Sequence, residues 1–243
     1  MRKQLIFFIS ILFLLISSNS LAQNISAIEV LGEYNTPLTK RLAVTSASGM
    51  GVTARVNIEL FSNFYLSVNG GYQNFTVEQD SAVNQWNWVF WRDRYEGSIK
   101  ADLADTASGL RASFNPFQSM NAFPVYLTFT YEFEVLDNFK VRPFAGGGVY
   151  FYTRSLYMEE NWSRYYKDID YTFAYSYKNF APDKAGNPLF ITGGLNLSYP
   201  FADYFRLNAE FQYSHFLSIE KMGFDEMPFE NLLNFKLGLT FSY

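Results

Sequence analysis

Charged side chains recur at every second position within stretches that are otherwise apolar. In the last thirteen residues, Leu233, Phe235 and Leu237 alternate with Asn234, Lys236 and Gly238. A strict period of two places the first set on one face of a β-strand and the second set on the other. Continued through the chain, this parity predicts a polar face with six acids and five bases: Glu29, Glu33, Glu59, Glu132, Glu134, Glu210, Arg55, Arg142, Arg154, Arg206 and Lys236. Because unpaired buried charge is costly, we expect mutual neutralisation on this face.

Catalytic groups are scarce in the sequence. His215 is the single histidine, which excludes a metal site built on several imidazoles and most acid–base pairs of two histidines. Ser214 and Ser218 fall on the opposite strand face from His215, so a nucleophile and its base would not meet. The run Gly146–Gly148 precedes no helical pattern and indicates strand curvature or close packing rather than a phosphate loop. We predict no catalytic residue, no cofactor and no metal.

The N-terminus predicts export. Arg2 and Lys3 precede an apolar run from Leu5 to Ile16, and Ser20–Ala22 offers small residues for a signal peptidase. The run is shorter than the roughly 20 residues of a spanning helix, which predicts a signal peptide over residues 1–22 and one domain over 23–243. The chain has no cysteine, so neither a lipoprotein anchor nor disulfides are expected.

Three short turns divide the chain, each with Asn or Asp beside an aromatic residue, near Asn63, Asn138 and Asp203. Between them lie long aromatic-rich intervals. Strands are predicted over residues 25–35, 49–60, 64–78, 122–135, 140–157, 188–199, 204–219 and 231–243. The fold class is all-β, an eight-stranded antiparallel transmembrane β-barrel in up-and-down order, with ten strands as the alternative if a long loop contains a further hairpin.

Matching parity at the turns predicts the register of each hairpin. Leu60 is expected opposite Phe64, and Ile58 opposite Leu66. At the second turn Val135 is expected opposite Val141, which sets Glu134 opposite Arg142 and makes them the predicted ion pair. At the third turn Tyr199 is expected opposite Phe205, and Ser198 opposite Arg206. A slip of one residue would mix apolar and polar faces.

Parity alone does not say which face points inward. A soluble exported barrel would place the apolar face inside, whereas a membrane barrel places it outside. Short turns alternating with long loops, a signal peptide and an aromatic content of 20% favour the membrane barrel. The formal net charge of −4 is no footprint for nucleic acid.

Two long intervals are rich in aromatic residues. The segment Gln85–Tyr95 contains Trp86, Trp88 and Trp91, and the interval 159–187 contains Trp162. These tryptophans are expected either at the outer membrane interface or on a binding surface for sugar or protein.

With these patterns the chain resembles the small bacterial outer-membrane β-barrel family, which includes the OmpA transmembrane domain and OmpW-like barrels. The resemblance covers residues 23–243 and depends on pattern rather than on a sharp motif. It implies a bacterial outer-membrane location, with outer-membrane lipid and lipopolysaccharide as surroundings. Leu237, Leu239, Phe241 and Tyr243 match the terminal signal that the barrel assembly machinery reads in this family.

The resemblance leaves three functions open. The first is a structural or surface-interaction barrel without a wide pore, binding a surface glycan or a protein. The second is a narrow passage for small apolar solutes, as in OmpW-like barrels. The third and least favoured is a lipid A-modifying enzyme, since lipid A 3-O-deacylases are barrels with a His-x-Ser and a Glu; here His215 and Glu230 are present but residue 217 is Leu.

Overall fold

The structure, a computed structural model, describes residues 25–105, 108–136 and 138–242. The predicted signal peptide and Tyr243 lie outside these residues. Strands account for most of the described chain, as the period-two pattern predicts. Their bounds are β1 Ile25–Lys40, β2 Val44–Phe61, β3 Phe64–Gln79, β4 Leu110–Tyr131, β5 Phe133–Leu136, β6 Phe139–Tyr166, β7 Tyr171–Phe180, β8 Lys184–Gly186, β9 Leu189–Ala202, β10 Phe205–Phe216 and β11 Phe229–Ser242.

Helical structure is confined to connections on one side of the sheet. Helix α1 spans Ala82–Trp86, a π-helical turn spans Phe90–Glu96, and helix α2 spans Gly97–Ala104. Short 3-10 turns follow β6 and β10, at Lys167–Ile169, Glu220–Met222 and Phe224–Glu226. Among the described residues, no helix has the length and apolarity needed to cross a membrane.

Eight strands close into a ring, which confirms the predicted strand count and antiparallel order. Each of β1, β2, β3, β4, β6, β9, β10 and β11 pairs with the next, and β11 returns to β1. At the closing seam Val30 lies opposite Leu239 and Glu33 opposite Lys236. The first and last strands therefore begin and end on the same side of the barrel.

The remaining three strands are extensions of this ring rather than further staves. β5 continues β4 and pairs with the start of β6. After the turn at the end of β6, the chain returns along β6 in three pieces: β7 opposite Tyr157–Tyr166, β8 opposite Tyr152–Arg154, and β9 opposite Lys140–Val149. The ring therefore has eight strands and not ten, because β7, β8 and β9 are successive pieces of one chain segment that pairs with β6.

Beyond the ring, β4, β6 and β7 form a three-stranded sheet, here called the outer sheet. The strand predicted over 122–135 starts earlier than expected, because β4 already begins at Leu110. β6 has 28 residues and runs nine residues past the predicted end at 157. The sequence there has aromatic residues on both strand faces. A search for alternating polar and apolar residues therefore does not find this part of the strand.

The pairing register near the turns differs from the prediction, but each side chain points to the predicted face of its strand. Ile58 lies opposite Leu66 as predicted, but a bulge then sets Phe61, not Leu60, opposite Phe64. In the next hairpin Phe133 rather than Val135 lies opposite Val141. In the third, Tyr199 lies opposite Leu207 and Ser198 opposite Asn208. The last two offsets are of two residues, so parity and therefore sidedness are preserved.

The polar face points into the barrel. Glu29 and Glu210 have no exposed surface, whereas the outward Leu207 is 51% exposed. The outward positions form a belt of Leu, Val, Ile and Phe side chains. A polar interior inside an apolar belt is the arrangement of a transmembrane barrel, and it contradicts the soluble alternative.

Candidate functional site

Six charged side chains meet at the centre of the lumen and form one chain of alternating sign. Its order is Arg142, Glu29, Arg55, Glu210, Lys236, Glu33. The successive nitrogen–oxygen distances are 3.0, 3.1, 2.7, 3.7 and 3.3 Å. Three acids balance three bases, and all six residues are buried. We call this set the lumen network.

Amide side chains supply further hydrogen bonds to Arg142, Glu29 and Glu210 of the lumen network. Asn196 accepts from Arg142 Nη2 at 2.8 Å and donates to Glu210 at 3.0 Å. Asn57 donates to Glu29 at 2.7 Å. A buried charge is tolerable only with such additional partners, so the network fixes the geometry of the whole cross-section.

Tyr126 is a member that the sequence reasoning missed. Lys236 Nζ donates to the Tyr126 hydroxyl at 3.0 Å, and Arg55 Nε donates to Asn69, also missed, at 2.6 Å. Tyr126 shares the even numbering of Glu132 and Glu134 on the same limb, which the sequence assigns to the polar face, and this was the signal available in the sequence.

Five of the predicted charged residues lie away from the lumen network. Glu59 and Glu134 are exposed near the turns, so the predicted pair of Glu134 with Arg142 is wrong. In register Glu134 faces Lys140, and Arg142 binds Glu29 instead. Each of the other three has a separate partner: Glu132 accepts from Lys140, Arg206 donates to Ser198 at 2.8 Å, and Arg154 donates to the Glu226 carbonyl at 2.6 Å.

The outer half of the lumen is apolar, although it has the same parity as the polar half. Phe75, Phe190, Phe216, Phe229 and Leu232 are buried there. Tyr150 packs edge-on against Phe216 with ring centroids 4.8 Å apart. These inward aromatic side chains form a plug above the lumen network.

The segment 217–228 closes the plug from outside. Arg41 Nη1 donates to the Phe224 carbonyl at 2.6 Å, and its guanidinium lies 3.9 Å from the Phe224 ring centroid. Met227 is fully buried, and the Tyr152 hydroxyl donates to the Gly223 carbonyl at 2.5 Å. The segment is therefore bound to β1, β6 and the plug at several points.

Little space remains between plug and network. The cavity there, lined by Tyr126, Gln212 and Lys236 among others, measures about 10 Å³. A cavity of that size is at the lower limit for holding a single water molecule. A larger cavity of about 200 Å³ opens at the turn side, beside Tyr65, Arg142 and Arg206, and ends at the network.

Two tyrosine–asparagine pairs mark the outer edge of the apolar belt. Tyr72 donates to Asn121 at 2.7 Å on one side of the barrel, and Tyr213 donates to Asn231 at 2.7 Å on the other. On β3 the lower aromatic residue Phe64 is eight residues from Tyr72. At about 3.3 Å per residue and a tilt of about 40°, this separation gives a belt of roughly 20 Å between ring centres, close to the apolar height of such barrels.

His215 lies just above this edge, on the outward face. Its Nδ1 is 2.7 Å from Asn231 Oδ1. Ser214 points into the lumen, where its hydroxyl is 3.1 Å from that of Thr192. The geometry therefore separates the histidine from the neighbouring serine, as expected from parity, and the described residues contain no cluster of three or more metal-ligating side chains.

The tryptophans lie above the belt and not in it. Trp86 and Trp88 pack with Leu156 and Met158 in a second core between the helical connection and the outer sheet. Trp162 stacks on Tyr175 at 6.4 Å and contacts Phe114 edge-on. Trp91 joins this cluster by stacking on Tyr95. The side chains of Trp86, Trp88 and Trp162 are buried, because the helices fold back and cover one face of the outer sheet. They are therefore exposed neither to lipid headgroups nor to a ligand.

Hydrogen bonds tie the same helical connection to β7. The Tyr95 and Tyr177 hydroxyls are 2.5 Å apart, and Asn179 donates to Tyr95 at 3.3 Å. Partial burial and hydrogen bonds to Glu160 and Tyr95 raise the pKa of the Tyr177 hydroxyl, which therefore stays neutral at physiological pH. Beyond this contact the hairpin tip is open, and its exposed apolar side chains are Tyr165, Tyr166, Ile169, Tyr171, Phe173 and Tyr175.

The closed ring, the charged lumen and the apolar belt with its aromatic edges define an eight-stranded transmembrane β-barrel. Protein-family models and curated proteins give no match to the sequence. Among solved structures, the chain is similar to Neisserial surface protein A, at 10% identity, a TM-score of 0.40 and coverage of 89% of this chain and 96% of that one.

Two further solved barrels are similar at the same level. Ail, the attachment invasion locus protein of Yersinia pestis, has 10% identity and a TM-score of 0.40, covering 90% of this chain and 99% of its own. A major outer membrane protein from Thermus thermophilus has 13% identity and a TM-score of 0.43, covering 89% of this chain and 99% of its own.

Proposed function

We propose that this protein is a non-conducting barrel of the bacterial outer membrane that holds a rigid β-sheet above the membrane as a binding surface. The observation that carries the proposal is the combination of a filled lumen with a sheet that continues far beyond the apolar belt. The first argues against a passage through the barrel. The second supplies an exposed surface on a rigid support.

The filled lumen argues against the narrow passage for apolar solutes. A solute would have to cross the aromatic plug and then separate ion pairs of the lumen network. Breaking one such buried pair costs about 3–5 kcal/mol. Eight-stranded barrels are in general filled by their own side chains.

The hairpin tip is the proposed binding element for a partner at the cell surface, a protein or a glycan. Ile169 is 70% exposed, and Tyr166, Tyr171 and Phe173 surround it. Aromatic side chains give large contact area at low entropic cost and dominate binding energy at protein interfaces. The core between the helical connection and the outer sheet and the Tyr95–Tyr177 hydrogen bond hold the base of the tip, so little ordering is needed on binding.

Lipid, lipopolysaccharide and the barrel assembly machinery are the proposed partners of the barrel itself. Leu237, Leu239 and Phe241 point outward on the last strand, where they contact lipid in this proposal and offer the assembly signal. No enzymatic role is proposed, because His215 points outward while the neighbouring Ser214 hydroxyl points into the lumen.

Conductance of the refolded protein in planar bilayers tests the sealed lumen. We expect no single-channel steps above the bilayer baseline. A variant that removes the plug, Phe216→Ala with Phe229→Ala, serves as a positive comparison for leak. Regular steps from the unsubstituted protein would exclude the non-conducting barrel.

Binding by displayed tip variants tests the surface role. Cells that display the protein should bind members of an array of purified proteins or glycans, and Tyr171→Ala with Phe173→Ala should weaken that binding at least tenfold. Thr172→Ala with Ala174→Ser, on the opposite face of the same strand, is the matched control. Equal loss in both pairs, or no binding to any array, would contradict the proposal.

A further inference from the structure

The outward face of the outer sheet carries a second, separate pattern. We infer that this face binds the saccharide headgroup of glycolipid in the same outer leaflet in which the barrel sits. The inference depends on the membrane placement proposed above and not on the hairpin tip. It concerns the side of β4, β6 and β7 that continues the lipid-facing surface, opposite the side covered by the helices.

Starting at Asn121, the partner of Tyr72, two successive rows of outward side chains are polar. Asn74, Asn121 and Thr153 are cross-strand neighbours in the first row, and Thr76, Ser119 and Ser155 in the second. Asn74 also donates to Asn121 at 2.8 Å. Apolar lipid chains offer no hydrogen bonds to amides and hydroxyls, so this polar shelf lies at the level of the headgroups.

An aromatic row follows above the polar shelf. The Phe117 and Tyr157 rings are stacked with centroids 5.2 Å apart and an interplanar angle of 18°. Tyr157 and Phe180 follow at 5.6 Å. Phe117 is 45% and Phe180 69% exposed. Four residues separate Asn121 from Phe117 along β4, so the row stands roughly 10 Å above the belt edge, allowing for strand tilt.

This aromatic row has no role in the described protein's interior, since it points away from both cores. It is also cut off from the acyl chains by the two polar rows beneath it. An exposed row of rings in this position gains by contact with a ligand that is apolar on one face and polar at its edges. Sugar rings have that character, with C–H groups on a face and hydroxyls around the edge.

Polar groups around the row fit the remainder of a phosphorylated saccharide. Lys178 Nζ lies 4.7 Å from the Tyr157 ring centroid and 3.9 Å from Glu159. Above the row, small side chains leave a shallow depression of about 380 Å³ lined by Ser113, Asn161, Ser163, Ser176 and Arg111. The hydroxyl and amide groups can exchange hydrogen bonds with sugar hydroxyls. The side chains of Lys178 and Arg111 can bind phosphate.

Continuity with the lipid belt selects the occupant. A glycolipid whose acyl chains pack on the belt beside Phe123 has its first sugars level with the polar shelf and the next ones level with the aromatic row. One glycolipid molecule then contacts the belt, the polar shelf and the aromatic row, and such lipids surround the inserted barrel.

Binding in nanodiscs tests the inference, with the full-length mature protein and three probes. These are lipopolysaccharide with phosphorylated core sugars, lipid A without them, and phosphatidylglycerol. We expect the sugar-bearing lipid to bind at least tenfold more tightly than lipid A. Phe117→Ala with Tyr157→Ala should remove that difference, whereas Phe173→Ala with Tyr175→Ala, on the opposite face, should keep it.

Two single variants test the same face if the Phe117→Ala, Tyr157→Ala protein fails to fold. Phe180→Ser removes the most exposed ring of the row, and Lys178→Gln removes the cation; each should weaken binding of the sugar-bearing lipid at least threefold. Equal binding of lipopolysaccharide and lipid A, or variants that bind like the unsubstituted protein, would overturn the inference. Insertion is scored separately by the heat-dependent gel shift, so failure to insert refutes the membrane placement instead.

Discussion

Glu29 is the acid that connects most of the lumen network, because it bridges two arginines from different strands. Arg142 approaches one carboxylate oxygen at 3.0 Å and Arg55 the other at 3.1 Å. With Asn57 as a third donor, the carboxylate has no exposed surface. Its loss would leave two guanidinium groups facing each other in a closed space.

Replacing Glu29 with Gln should therefore lower the free energy of unfolding by about 3–5 kcal/mol, the cost of leaving buried charge unpaired. Urea unfolding of the refolded protein in lipid vesicles measures this change. Glu59→Gln is the matched control, since parity assigns both acids to the same face but Glu59 is exposed near a turn; its effect should stay within about 0.5 kcal/mol. Equal midpoints for the two variants would mean that the network contributes nothing.

These two glutamates also show what alternation can predict at the residue level. Period two gives the direction of a side chain, and it assigned all six members of the lumen network to the inward face. It does not give height along the barrel. Glu59, Glu132 and Glu134 have inward parity, but they are near the turns, where the lumen opens to solvent.

At the level of the element, β6 is the longest strand and passes its neighbours at very short range. An added Cβ at Gly146 would lie 1.9 Å from the Leu127 carbonyl oxygen, which belongs to the paired strand. A backbone atom cannot move aside as a flexible side chain can. The glycine run thus permits tight coiling of β6 against β4, in line with the curvature expected from the sequence.

Gly146→Ala should destabilise the barrel by about 1–3 kcal/mol, or prevent folding, because the added methyl overpacks the strand pair. Gly70→Ala is the control, since its Cβ would meet no atom within 4 Å. The fraction that keeps the compact, heat-sensitive gel mobility after refolding measures the difference. Similar yields and midpoints for both variants would disprove the steric account.

The outer sheet was the element least accessible from the sequence. Its strands carry aromatic side chains on both faces, because one face packs under helices and the other, in our proposal, under sugars. The lumen plug is a related case, since Phe75 and Phe216 continue the inward parity but are apolar. In both places side chains still point alternately to the two faces of the strand, but the two faces no longer differ in polarity. The strands are therefore recognised from the backbone pairing and not from the sequence pattern.

At the scale of the whole molecule, all four tryptophans are on the same side of the apolar belt. Trp86, Trp88 and Trp162 are buried in the packing around the outer sheet, and Trp91 is partly buried beside them. The intrinsic fluorescence of the protein therefore reports on the part outside the membrane.

Lipids brominated in their acyl chains should leave this fluorescence nearly unchanged, because the quencher does not reach the tryptophans. A variant with Phe211→Trp provides the control, since Phe211 is outward within the belt and 51% exposed; its added emission should be strongly quenched. Strong quenching of the unsubstituted protein would show that the membrane reaches the helical connection, and it would move the belt outward.

The closing seam has a consequence for assembly. Lys236 is on the last strand, and its partner Glu33, 3.3 Å away, is on the first. While the sheet is still open, Lys236 retains Glu210 on β10 at 3.7 Å, but Glu33 on β1 lacks its ammonium partner and leaves a carboxylate unpaired in a low-dielectric interior. Incomplete closure is thus penalised electrostatically at the final step. The ion pair therefore favours full closure in this register, since a register shift that hydrophobic matching alone would accept moves Glu33 away from Lys236.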